Sequence, residues 1–363
     1  MKSAIRNPQS AIPWPGVLGH DEIFAQFRER LVRGRMASTF LFVGLPGIGK
    51  RTVALRIAKA LLCERNPAEM LEACGECEGC VQVEAGSHPD LEVISRPAGK
   101  SDIPLELFIG DKEHRMREGL CYNISLKPYR GGRKIAIIND ADYLNREGAN
   151  CLLKTLEEPP PHSLLILIGT SEQTQLPTIR SRCQIVRFRP LPEATVAELL
   201  LARGLAADDA TARRLAALSQ GSLERAIELA DPELAGFREE LFATLSTDTK
   251  SAHDWAKEVN SFVEAAGKEA PPRRARMRQI FNFAADYYRH LMRHLCGQTT
   301  SADEPLRQAV TTAATRGLGT IDTAAACLDR CLDALAQVDA NANQATLLES
   351  WCDDLRELPR RPV

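Results

Sequence analysis

The chain has 363 residues, which at ~150 per domain is enough for two or three domains with cores of their own. It is 44% hydrophobic, 26% charged and 5% aromatic, a balance that excludes a disordered, collagenous or disulfide-knot chain. Lys and Arg number 46 against 48 Asp and Glu, a net charge of −2, so any contact with nucleic acid has to be local or shared with partners.

Residues 1–15 carry two positive charges and no apolar core of export length. No run of ~18 apolar residues follows, so a cytoplasmic protein with no membrane partner is expected. The first half alternates short apolar runs with helical patterns, as in a parallel sheet wound with helices. Strands are predicted at Thr39–Val43, Leu91–Ile94, Ile135–Ile138, Leu164–Ile168 and Gln184–Phe188.

Gly44-Leu45-Pro46-Gly47-Ile48-Gly49-Lys50 joins the first strand to a helical run ending near Cys63. In that context Gly44, Gly47 and Gly49 let backbone N–H groups turn toward a phosphate. The helix N-terminus adds partial positive charge, and Lys50 reaches the β and γ oxygens. The hydroxyl that should follow the lysine as a Mg²⁺ ligand is replaced by Arg51, and Thr52 lies roughly 100° further round the helix.

Cys74-Gly75-Glu76-Cys77-Glu78-Gly79-Cys80 then sets three thiols in seven residues. Four thiolates at ~2.3 Å satisfy the tetrahedral preference of Zn²⁺. The fourth ligand is Cys63, favoured by an all-sulfur set, or His88. A closed site of this kind leaves no position for water, so the metal is expected to staple a loop rather than catalyse. Cys121, Cys151, Cys183, Cys296, Cys327, Cys331 and Cys352 are scattered and are expected to be buried apolar residues.

The run Ile135 to Asp142 puts Asp140 at a strand end, where it is suited to hold Mg²⁺ or its water. The next position, where a Glu would polarise the attacking water, is Ala141. Asp142 is expected to cap the following helix. In that helix Ala149, Leu152, Leu153 and Leu156 fall on one face, and Pro159 to Pro161 stop it. Nucleotide binding is compatible with these motifs, whereas efficient hydrolysis in the chain's own site is not expected.

After Pro190 and Pro192 the strand signals fade and Ala, Leu, Arg and Glu dominate, which sets a boundary near residue 189. A first helical group, broken at Gly204 and Gly221, runs to about residue 238. A second places Ile280, Ala284, Tyr287 and Leu291 on one face and Leu348, Trp351, Cys352 and Leu355 on another. Gly267 to Arg274, with its paired prolines, reads as a loop. No internal repeat or low-complexity tract is found.

The order Gly-Ile-Gly-Lys50, four-cysteine knuckle, His88-Pro89-Asp90, Asn139-Asp140-Ala141-Asp142, Asn150-Cys151-Leu152-Leu153-Lys154-Thr155-Leu156-Glu157-Glu158-Pro159-Pro160 and Ser181-Arg182-Cys183 resembles the delta-prime family of the bacterial DNA polymerase III clamp loader, which are AAA+ proteins. The resemblance covers residues 16 to about 230, and Asn341-Ala342-Asn343 is similar to the family's C-terminal collar. It implies an α/β AAA+ P-loop domain with a parallel sheet at 1–188, carrying a zinc module at 63–80. A helical lid at 189–238 and an all-α collar at 239–363 follow.

The resemblance further implies a hetero-oligomeric ring with ATP sites at subunit interfaces, each completed by an arginine from the adjacent Ser-Arg-Cys motif. Arg182 is the candidate for that role, with Arg180 as the nearer rival. A guanidinium given to a neighbour's γ-phosphate is worth ~10³ or more in rate in related NTPases. Thr170 matches the family's sensor position, and residues 16–20 match its approach to adenine, with His20 where Gln is usual. The lid motif Gly221-Ser222-Leu223 continues with Glu224 where motor subunits carry an arginine, which Arg225 misses by one place. Lys127, Arg130, Arg133 and Lys134 form a basic run that would face DNA or, more ordinarily, solvent.

The implied function is that of a noncatalytic subunit that helps load the sliding clamp on primed DNA within the polymerase holoenzyme. Its implied partners are gamma/tau and delta subunits, and indirectly the clamp and primer-template. An ATP-hydrolysing gamma/tau-type motor and a pure scaffold are the alternatives. Zinc is the expected cofactor. ATP with Mg²⁺, if bound, would meet Gly44, Gly47, Gly49, Lys50, Thr52, Asp140 and Thr170.

Overall fold

The computed structural model describes residues 17–97, 100–115, 117–130, 132–247, 250–298 and 303–358. Gly16 of the expected adenine-side segment lies outside them. The chain divides into two compact units inside one helix, the first ending at Ala226 and the second beginning at Ile227.

The first unit is built on five parallel strands, β1 (Thr39–Val43), β2 (Leu91–Ile94), β3 (Lys134–Ile138), β4 (Ser163–Gly169) and β5 (Gln184–Arg187), in the spatial order β2-β3-β4-β1-β5. The register pairs Thr39 with Leu165 and Phe40 with Gln184. Its helices are α1 (Asp21–Val32), α2 (Lys50–Leu61), α3 (Glu78–Glu84), α4 (Glu106–Ile109), α5 (Leu120–Asn123), α6 (Arg146–Glu157), α7 (Pro177–Arg180), α8 (Glu193–Ala202), α9 (Asp209–Leu218) and α10 (Leu223–Ala230), the last spanning the cut.

All residues of β1 and β4 are buried, because helices cover both faces of the sheet, and this is why their sequences read as continuous apolar runs. Successive side chains point to opposite faces. Phe40 and Phe42 join Phe24, Phe27, Val53 and Ile57 in one core. Leu41 and Val43 join Phe108, Leu152, Leu156 and Leu165 in the other.

The five strands match the sequence expectation to within a residue at either end. The expected helix cap at Asp142 does not: Asn145 caps α6, its side chain accepting from the Gly148 N–H, because a 3₁₀ turn at Ala141–Tyr143 separates β3 from the helix.

The second unit is all helical: α11 (Pro232–Thr247), α12 (Ala252–Ala265), α13 (Ala270–Leu295), α14 (Glu304–Thr315), α15 (Ile321–Asp339) and α16 (Gln344–Glu357). Its core holds the expected Ile280, Ala284, Tyr287, Leu291, Leu348, Trp351, Cys352 and Leu355, all buried. Trp351 packs on Phe281 at 4.8 Å and Trp255 at 5.3 Å between ring centroids.

The expected loop at residues 267–274 is shorter than the sequence suggests. Pro271 and Pro272 stand in the first turn of α13, where a missing N–H leaves no helical bond unmade. Of the scattered cysteines, Cys327, Cys331 and Cys352 are buried as expected, whereas Cys121, Cys151 and Cys183 are half-buried and Cys296 is exposed. No helix among the described residues is long and apolar enough to cross a membrane.

Candidate functional sites: a closed phosphate loop, a four-cysteine cluster and a paired arginine

The loop between β1 and α2 takes the shape its glycines permit. Gly49 is left-handed, with φ +95°, and forms the N-cap of α2. Lys50 is buried, and its Nζ donates to the Gly44 and Leu45 carbonyls at 2.6 Å each. Burial pushes its amine down to about 8, against the pull of Asp142 and Glu224, which favour the charged form.

The next three carbonyls are also bonded from within the chain. Ser222 Oγ donates to Pro46 O at 2.9 Å, the Leu223 N–H to Gly47 O at 3.1 Å, and His20 Nε2 to Ile48 O at 2.5 Å. Five successive carbonyls, Gly44 to Ile48, are thus satisfied internally. The start of α10 sits so close that a methyl group on Gly47 would lie 2.3 Å from Glu224 Cβ. His20, on the adenine side in the family pattern, is buried edge-on to Phe188 with 4.9 Å between ring centroids, and burial lowers its pKa.

Thr170 and Gly44 meet at the strand ends, the Gly44 N–H donating to Thr170 O at 3.1 Å. Arg51 and Thr52 are both exposed on α2. Asp140 is exposed, left-handed at φ +55°, and its carboxylate accepts the Arg96 N–H at 3.3 Å.

Of the two carboxylates that favour the charged form of Lys50, Asp142 acts more strongly than Glu224. The Asp142 carboxylate accepts from the Thr170 N–H at 2.7 Å, from the Thr174 hydroxyl at 2.6 Å and from the Gln175 side-chain amide. The left-handed turn at Asp140 and the 3₁₀ turn that follows carry Asp142 to the end of β4, a placement that its reading as a helix cap missed.

The four cysteine Sγ atoms lie within 4.8 Å of one another. Cys63 and Cys77 are 3.9 Å apart, as are Cys74 and Cys80. Ligands at ~2.3 Å from a tetrahedral zinc would stand about 3.8 Å apart, so the spacing fits that ion.

Backbone N–H groups already point at the sulfurs. Those of Asn66 and Cys74 donate to Cys63 Sγ at 3.4 Å, Cys77 to Cys74 Sγ at 3.3 Å and Cys80 to Cys77 Sγ at 3.4 Å. Such bonds favour thiolates, and the pKa values of Cys63, Cys74 and Cys77 are lowered, whereas burial pushes Cys80 up to about 12.

His88 is not in the cluster. Its Nδ1 accepts the Asp90 N–H at 3.0 Å. Asp90, almost fully buried, in turn accepts the N–H groups of Tyr129 at 2.7 Å and Arg130 at 3.1 Å, and Lys134 Nζ at 3.3 Å.

Two of the four residues in the basic run are therefore engaged. Lys134 pairs with Asp90, and Arg130 bridges Glu64 and Glu78 on either side of the cysteine cluster. Lys127 is exposed and Arg133 half-buried.

Arg182 stands before β5, its carbonyl accepting from Thr39 Oγ1 at 2.8 Å. Its Nε donates to Glu157 Oε1 at 2.7 Å, with the side chain 31% exposed. Arg180 ends α7 and is exposed. Sequence reasoning missed Glu157 as the partner of Arg182, for the two are 25 residues apart and no local pattern links them.

A family model described as "DNA polymerase III, delta subunit" matches residues 19–192. DNA polymerase III subunit delta' of Pseudomonas aeruginosa is 37% identical over 191 residues, 52% of this chain and 55% of that one. The delta' subunit of Escherichia coli is 30% identical over 272 residues, 75% of each chain. DNA polymerase III subunit tau/gamma of Haemophilus influenzae is 31% identical over 223 residues, 60% of this chain and 30% of that one. The chain thus spans about half the length of the Pseudomonas relative and three quarters of the E. coli one.

Proposed function

The chain belongs to the delta-prime family of DNA polymerase III subunits, and on that premise we propose that it is a non-motor subunit of a clamp loader that lends Arg182 to the ATP site of a neighbouring motor subunit. The observation that carries this reading is the contrast between its two phosphate-directed groups. Lys50 is spent on its own loop, whose five carbonyls are bonded from within and whose approach is covered by Ser222 to Glu224. Arg182 lies partly exposed outside that site, on a main chain fixed to β1. The absences of a hydroxyl at Arg51, a general base at Ala141 and a lid arginine at Glu224 point the same way.

In the assembled ring, water attacks the γ-phosphorus of ATP held by the neighbour and the bond to the β-phosphate oxygen breaks. Arg182 supplies fixed positive charge to the γ-phosphoryl oxygens as that happens. Its partners in this reading are gamma/tau and delta subunits, through them the sliding clamp and primed DNA, and its compartment is the cytoplasm. The residues 1–188, 189–238 and 239–363 serve as AAA+ domain, lid and collar.

Cys63, Cys74, Cys77 and Cys80 hold one zinc ion per chain. It closes the loop between α2 and α3 and, having four protein ligands, offers no place for a substrate water. Metal analysis of protein purified without chelator checks this.

The test of the main reading is Arg182→Ala in a complex reconstituted with motor and delta subunits, clamp and primed DNA. Turnover at the adjoining site is expected to fall by about 10³-fold while assembly, read by gel filtration, is retained. Unchanged turnover with normal assembly overturns the reading.

A further inference from the structure

Arg182 has five N–H donors, and four of them are already used. Nε and one hydrogen of Nη2 go to the same oxygen, Glu157 Oε1. Nη1 donates to Thr178 O at 3.0 Å and Ser181 Oγ at 3.1 Å. One Nη2 hydrogen is left. A guanidinium that grips a phosphate does so through two parallel N–H groups on one edge, so Arg182 has to release a partner before it can engage one.

The structure says which edge is free to change hands. The main chain of Arg182 is fixed by Thr39 and by the bond from its own N–H to Ile179 O at 3.1 Å, and Nη1 is tied to a neighbouring backbone carbonyl. Among the described residues the Nε–Nη2 edge is bonded to one carboxylate, whose side chain is 49% exposed. That carboxylate is the last residue of α6, where negative charge opposes the helix dipole, so it does nothing for the helix that carries it.

We propose that Glu157 is a positioning residue that occupies the phosphate-gripping edge of Arg182 until the nucleotide of a neighbouring subunit displaces it. The proposal rests on the reading of Arg182 as a group donated across a subunit boundary. The exchange swaps one anion for another on a fixed edge and makes or breaks no covalent bond. An ion pair this exposed resists displacement by about fivefold at most, so Glu157 keeps the fork aimed without locking it.

The test measures ATP turnover by the reconstituted complex carrying Glu157→Gln or Glu157→Ala, with clamp and primed DNA present and Arg182→Ala in parallel. Loss of the competing carboxylate is expected to lower KM for ATP by roughly two- to fivefold without lowering kcat. The shift should be larger for Ala than for Gln, and should shrink as salt rises, because the lost pair is screened. A damaged helix end or a misassembled ring would not tighten nucleotide binding. Glu157→Gln, which keeps size and an acceptor oxygen, decides the matter if Glu157→Ala assembles poorly. A KM unchanged or raised in Glu157→Gln, while Arg182→Ala still abolishes turnover, overturns the role of Glu157 alone. Turnover unaffected by Arg182→Ala removes the reading of Arg182 and this proposal with it.

Discussion

Lys50 lies at the foot of α2 with its amine on the carbonyls of Gly44 and Leu45, and burial holds its pKa down at about 8 against the usual 10.5. The gap is equivalent to about 3 kcal/mol. Its sign follows from counting protons: between pH 8 and 10.5 the unfolded chain still binds a proton here that the folded chain has released, so folding gains as pH rises. Below pH 8 both states are protonated and the full cost of the buried cation is present. Wild type is therefore expected to gain up to about 3 kcal/mol relative to Lys50→Met as pH goes from 8 to 10.5, read as the difference between their denaturant midpoints. Comparing the two proteins cancels the other groups that titrate in this range. A difference that does not change with pH would mean that the amine is not desolvated as the structure has it.

The segment from Cys63 to Cys80 is tied to the core by one large apolar side chain, the fully buried Leu71, with Ala68 packed against the same cluster. Its other fixed points are the four sulfurs, the N–H groups aimed at them, and Arg130, which ties Glu64 and Glu78 to the loop before β3. If the cluster holds the proposed zinc, a chelator is expected to speed hydrogen exchange across residues 62–84 and, through Arg130 and Asp90, in residues 124–130, while β1 and β4 keep their protection. Equal exchange with and without chelator would mean that the loop needs no metal. This element was legible in the sequence because its spacing is local, and the strands were legible because burial on both faces leaves an uninterrupted apolar run. Features made by residues far apart were not. The sequence offers no trace of Glu157 against Arg182, nor of Ser222 and Leu223 closing over Pro46 and Gly47, since each pairing is created by the tertiary fold. The prolines of α13 misled for a related reason: proline breaks a helix interior but suits its first turn, and position within the helix is what sequence alone fixes least.

Taken over the whole chain, the proposed function divides the phosphate-directed groups between two sites with opposite fates. The site at Lys50 lacks a metal-binding hydroxyl after the lysine and a base at Ala141, and the start of α10 brings Glu224 against the loop. A missing general base alone costs about 10²–10⁴-fold. Arg182, by contrast, keeps its charge and its anchored main chain. The two sites should therefore respond oppositely to substitution in the reconstituted complex: Lys50→Ala is expected to leave ATP turnover unchanged, and Arg182→Ala to depress it. The same logic predicts that the chain alone shows no magnesium-stimulated ATP hydrolysis, with phosphate release as the readout. A motor subunit would reverse the pattern, turning over ATP by itself and losing that turnover with Lys50→Ala, and a pure scaffold would be indifferent to both substitutions.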